Sequence, residues 1–81
     1  MTQVTLYGKP GCCLCDDARA ELAAVRAERP FELTEVDVSV DPALWHAYGE
    51  RIPVVEIDGE EAFELHVERA ELARVLDTVR P

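Results

Sequence analysis

The stretch Tyr7-Gly8-Lys9-Pro10-Gly11-Cys12-Cys13-Leu14-Cys15-Asp16-Asp17 sets a C-x-x-C pair, Cys12 and Cys15, between an apolar strand-like run and an amphipathic helix-like run. A thiol at a helix N-terminus faces unpaired backbone N–H groups and the positive end of the helix dipole. Both favour thiolate over thiol. A second thiol one turn later on the same helix lies within reach of the first, so the pair can close a small disulfide ring and reopen it. Spacing and setting together point to a reversible redox centre.

Before that junction, Val4-Thr5-Leu6-Tyr7 alternates with β-branched and aromatic residues until Gly8 to Gly11 ends it, which predicts a strand. After it, Leu14, Ala18, Leu22 and Val25 recur at helical spacing from Cys13 to about Glu28, and Pro30 stops the pattern. Phe31 to Val38 predicts a second strand whose alternation slips at Thr34-Glu35, a candidate bulge. Strand, helix and strand with short connections predict a right-handed βαβ unit with parallel strands. Asp41-Pro42 then supplies an N-cap oxygen and a proline at the first helical position. Leu44, Ala47 and Tyr48 share one face of a short helix, which Gly49 is expected to close in the left-handed conformation. Pro53 to Ile57 predicts a third strand, Asp58-Gly59 a hairpin turn, and Ala62 to Leu65 its returning partner. Val67 to about Val79 predicts a last helix with Leu72, Val75, Leu76 and Val79 on one face.

Eighty-one residues without repeat or linker make one domain, residues 1–81. The apolar fraction, 48%, suffices for a core, yet no run approaches the roughly 18 residues of a membrane span. The first ten residues lack a basic start and apolar stretch, so no signal peptide is expected. Three crowded cysteines are a poor disulfide framework for a secreted miniprotein, and a cytoplasmic location follows as the expectation. Acidic residues outnumber basic ones by 17 to 8, for a net charge of −9. Such a surface repels phosphate backbones and anionic membranes, so neither nucleic acid nor membrane is an expected partner. A monomer is expected.

The element order βαβ, short helix, ββα, with C-x-x-C at the first strand-to-helix junction, resembles the small glutaredoxin-like proteins of the thioredoxin superfamily. The matching residues are Val4-Thr5-Leu6-Tyr7, Lys9-Pro10-Gly11-Cys12, Leu14-Cys15, Arg51-Ile52-Pro53-Val54 and Ile57-Asp58-Gly59. The resemblance implies an α/β thioredoxin fold: a four-stranded mixed sheet flanked by helices, in the spatial order second, first, third, fourth. It also implies that Pro53 is cis, beside the C-x-x-C, with the preceding residue's backbone left to pair with an incoming disulfide. Glutathione-using members usually carry a Gly-Gly pair near the end of the fourth strand. Here Ala62-Phe63-Glu64-Leu65 has no glycine, and Phe63 and Glu64 are expected to fill that space. Arg51 stands where such proteins usually have Thr. Arg51 and Lys9 could still bind a carboxylate, so glutathione stays possible as electron donor.

These residues predict a thiol–disulfide oxidoreductase, with no bound cofactor, acting on protein or small-molecule disulfides and regenerated by a cellular thiol reductant or reductase. Cys12 is the expected nucleophile and Cys15 the resolving thiol. Lys9 is expected to favour the Cys12 thiolate, while Asp16 and Asp17 oppose it. Arg51, Ile52 and Pro53 are the expected substrate-binding residues. Cys13 reads as a small first-turn residue or a third thiol. Two other readings compete. In one, Cys12, Cys13 and Cys15 bind a metal or iron–sulfur cluster, although three thiols so close need a distant fourth ligand. In the other, a non-catalytic adaptor uses Trp45, either exposed as an anchor or buried at the sheet edge. His46 and His66 have no ligand-like spacing, and the acidic run from Glu56 to Glu64 reads as a solvated hairpin face.

Overall fold

In the first strand, β1 (Gln3–Gly8), Val4, Leu6 and Gly8 are buried and alternate with the less buried Thr5 and Tyr7, so the two faces of the strand meet different layers. This computed structural model describes residues 2–78. The first helix, α1 (Cys13–Glu28), buries Cys15, Ala18, Leu22 and Val25, the face its periodicity predicts. It returns the chain to β2 (Glu32–Asp37), which lies parallel to β1 in unbroken register from Gln3 opposite Glu32 to Gly8 opposite Asp37. The bulge expected at Thr34-Glu35 is therefore absent. β2 is an edge strand, and there Glu35 turns outward to Arg19 and Thr34 is exposed, so its side-chain pattern slips without the ladder slipping.

A single 3₁₀ turn, Val38–Val40, follows, with the Asp37 carboxylate accepting from the Ser39 N–H at 2.9 Å. Asp41 caps α2 (Pro42–Tyr48) by accepting from the Ala43 N–H at 2.8 Å. Gly49 departs from expectation: its φ of −53° is right-handed. Its glycine character serves close approach instead, since a Cβ there would stand 2.6 Å from both the Trp45 carbonyl oxygen and the Trp45 ring. β3 (Val54–Ile57) and β4 (Glu60–Glu64) are joined through Asp58 and Gly59, both at positive φ, as a two-residue hairpin turn requires. The bulge of this sheet lies in that hairpin, where the register shifts between Val55 and Glu56. The last helix, α3 (Arg69–Thr78), begins two residues after Val67; Val79, expected on its apolar face, lies outside the described residues.

The sheet order is β2-β1-β3-β4, parallel in the first pair and antiparallel in the other two, as the resemblance implies. Its main core joins Val4, Leu6, Val55 and Ile57 to Ala18, Leu22 and Val25 of α1 and Leu72 of α3. A second cluster, Cys15, Val38 and Ile52, is covered by Tyr7, Cys12, Leu44 and Tyr48. This smaller cluster positions the thiols. It ties the start of α1 to α2 and to the chain entering β3.

Candidate functional site

Cys12 is the N-cap of α1, with extended backbone angles, and its Sγ accepts the Cys15 N–H at 3.3 Å. The sulfur thus takes the place of the oxygen that ordinarily satisfies a first-turn donor. Cys12 is half-buried, Cys13 exposed and Cys15 fully buried, and all three are free thiols. Gly11, at a φ of +79°, turns the chain into this cap. Gly8 makes the room behind it: a Cβ on Gly8 would lie 2.9 Å from the Cys15 Sγ. In the sequence Gly8 marks only the end of a strand.

The two thiols are pushed apart in acidity. Burial acts to raise Cys12, but the Cys15 thiol, the Cys15 and Leu14 N–H groups and the Lys9 charge together hold it below the ordinary thiol value. Burial, with the hydrogen bond to Cys12 behind it, pushes Cys15 up to about 11, against the Lys9 N–H and the Arg19 charge. Asp16, expected to oppose the thiolate, gives its carboxylate to Arg19 at 2.8 Å. Lys9 places its ammonium 5.5 Å from the centroid of the Trp45 ring. Trp45 itself is exposed, at 44%, so it is not buried at the sheet edge.

Ile52 and Pro53 are buried, and the peptide bond between them is cis. Ile52 packs with Cys15, while the β3 ladder begins only at Val54. Leu65, in the left-handed region at a φ of 68°, donates its N–H to the carbonyls of Arg51 and Pro53 at 3.1 and 2.8 Å. Arg51 itself is engaged within the protein. Its Nη1 donates to both Glu61 oxygens at 2.8 and 2.7 Å and to Glu64 at 3.1 Å, and its Nη2 donates to the Ala47 carbonyl at 3.1 Å. Phe63, expected to fill the space of the glycine pair near the end of the fourth strand, packs against the main core.

A polar constellation beneath the site went unseen in the sequence. The Tyr7 and Tyr48 rings stack at 4.2 Å, and their hydroxyls donate to the two oxygens of Glu56 at 3.1 and 3.2 Å. Burial first, then the Glu56 bond, pushes Tyr7 up to about 12. No local motif announces a pairing between residues so distant in the chain. Among the described residues, no three His, Cys, Asp or Glu side chains are grouped to hold a metal ion, and no helix is long and apolar enough to cross a membrane. A cleft of about 340 Å³ is lined by Gly8, Lys9, Asp16, Arg19 and Glu35 but by neither Cys12 nor Pro53.

The family described as "Glutaredoxin-like domain (DUF836)" matches residues 3–77. The uncharacterized protein Rv0508 of Mycobacterium tuberculosis is 35% identical, over 89% of this chain and 84% of its own. Among solved structures, the X-ray structure of protein XcR50 from X. campestris superposes with a TM-score of 0.81 at 31% identity, covering 95% of this chain and 99% of that one. A mutant thioredoxin from Halobacterium salinarum gives a TM-score of 0.71 at 19% identity, covering 99% of this chain and 78% of its own, a likeness of fold alone.

Proposed function

This chain belongs to the glutaredoxin-like domain family, and from that membership and the thiol geometry we propose that it is a dithiol thiol–disulfide oxidoreductase. The observation that carries the reading is the unequal pair: an accessible Cys12 at a helix N-cap, lowered in pKa, above a buried Cys15 raised to about 11. The Cys12 thiolate attacks one sulfur of a substrate disulfide. An S–S bond forms to Cys12 as the substrate bond breaks and the other sulfur leaves as thiolate. Cys15 then loses its proton and attacks the Cys12 sulfur, expelling the second substrate thiolate and leaving a Cys12–Cys15 disulfide. The substrate has gained two electrons and the protein has lost them. A cellular thiol or a reductase returns them, with glutathione as one possible donor.

Burial of Cys15 suits this order, since a thiol kept protonated does not compete for the first attack. The Ile52–Pro53 segment, adjoining Cys15, is the proposed seat for the substrate's backbone, with Lys9 supporting the thiolate. The proposed setting is the cytoplasm, where the protein acts as a monomer. Mild oxidation followed by mass mapping should give one intramolecular bridge, joining positions 12 and 15. Cys12→Ser should abolish reduction of a model disulfide, and Cys15→Ser should accumulate mixed disulfide with substrate. A dominant bridge through Cys13, or full activity without Cys12, would sink the mechanism.

A further inference from the structure

Every described arginine is held by the protein's own oxygens: Arg19, Arg29, Arg51, Arg69 and Arg74 by carboxylates and Arg26 by the Phe31 carbonyl. Arg51 differs from the others in its place. Its chain neighbour Ile52 and the Tyr48 ring, 5.6 Å from its guanidinium carbon, both belong to the cluster that contains Cys12 and Cys15. It thus adjoins the proposed seat of the substrate's backbone, where an anionic substrate would meet it, and two glutamates occupy it. We propose that Glu61 and Glu64 are specificity-determining residues that keep Arg51 from substrate carboxylates, so that this protein reduces neutral and cationic disulfides in preference to anionic ones.

Both Glu61 oxygens and one Glu64 oxygen converge on a single nitrogen, and a backbone carbonyl takes the second. An incoming carboxylate has to displace tethered partners that are always present at high effective concentration. Surface ion pairs open readily in water. Opening does not help the anion, because one guanidinium against two carboxylates leaves the group net negative. A cationic or neutral substrate meets no such barrier. This inference rests on the oxidoreductase reading for its substrates, but its electrostatic core is measurable without turnover.

The direct test is the ratio of Cys12 alkylation rates with iodoacetate, an anion, and iodoacetamide, its neutral counterpart, in a Cys13→Ser background. Both reagents attack the same thiolate, so its abundance cancels from the ratio. Glu61→Gln with Glu64→Gln should raise the ratio about four-fold at low ionic strength, with the gain shrinking in salt. Adding Arg51→Gln should remove most of that gain. Replacing exposed Glu32 and Glu60 by Gln changes the net charge equally and should raise the ratio far less. An unchanged ratio, or an equal rise in that control, overturns the proposal. For turnover, the unmodified protein should reduce cystamine and bis(2-hydroxyethyl) disulfide with higher kcat/KM than glutathione disulfide, and Glu61→Gln with Glu64→Gln should narrow the gap. Faster turnover of glutathione disulfide by the unmodified protein overturns the selectivity and leaves the oxidoreductase reading standing. No turnover of any of the three overturns the oxidoreductase reading, and the alkylation ratio still decides the charge claim.

Discussion

Cys15 and Tyr7 share a property with a consequence for the folded state. Each holds its proton more tightly when folded than when unfolded, Cys15 rising from 9.0 to about 11 and Tyr7 from 10.0 to about 12. A raised pKa contributes stability that is complete below the unfolded value and lost as pH climbs through the folded one. Cys12 has the opposite sign, but its contribution is complete once pH exceeds the unfolded thiol value of 9.0, so it cannot offset the loss above that point. Stability should therefore fall from about pH 9 onward, where the unfolded chain begins to release the protons that folded Cys15 and then Tyr7 retain. Urea midpoints measured across this range should decline, and Cys15→Ala should flatten the first part of the decline. A midpoint that stays level to pH 11 would mean that Cys15 is not held protonated by burial.

Between elements, the decisive contact is that of β1 with α1, where Gly8 faces Cys15. Gly8→Ala forces a Cβ to within 2.9 Å of the Cys15 sulfur and should destabilise the protein by about 1–3 kcal/mol, the usual cost of overpacking. Cys15→Ala in the same chain removes the sulfur, so the pair should be less destabilised than the two single changes summed. Strict additivity in denaturation would place the strain elsewhere. That contact also marks how far the sequence could be read. Periodicity, caps and turn residues located every strand and α-helix, though not the 3₁₀ turn Val38–Val40, because α1, α2 and the Asp58-Gly59 hairpin are specified by neighbours in the chain. The C-x-x-C pair was legible for the same reason. What stayed hidden depends on approach between separate elements: the close fit of Gly8, the tyrosines on Glu56, and the occupation of Arg51. Broken alternation points to a bulge in β2, but an edge strand tolerates such a break, and the register shift lies in the β3–β4 hairpin instead.

Taken whole, the molecule carries a net charge of −9, and the arginine–carboxylate pairs on its surface are exposed. Exposed pairs contribute little and are screened, whereas repulsion among excess carboxylates opposes compactness at low salt. Raising sodium chloride from about 0.01 to about 0.15 M shortens the screening length from roughly 30 to roughly 8 Å and should increase the urea midpoint. A decrease would show that the ion pairs outweigh the repulsion. The same excess has a particular address in the sheet. Its outer strands, β2 and β4, carry Glu32, Glu35 and Asp37 on one side and Glu60, Glu61 and Glu64 on the other. Unpaired amides along an outer strand are a template on which a foreign strand can add. Here a second molecule arriving by either route sets carboxylate against carboxylate, and acid removes that guard by protonating both sides. Each flank of the sheet thus refuses its own likeness, and the refusal lasts only while the carboxylates stay ionised.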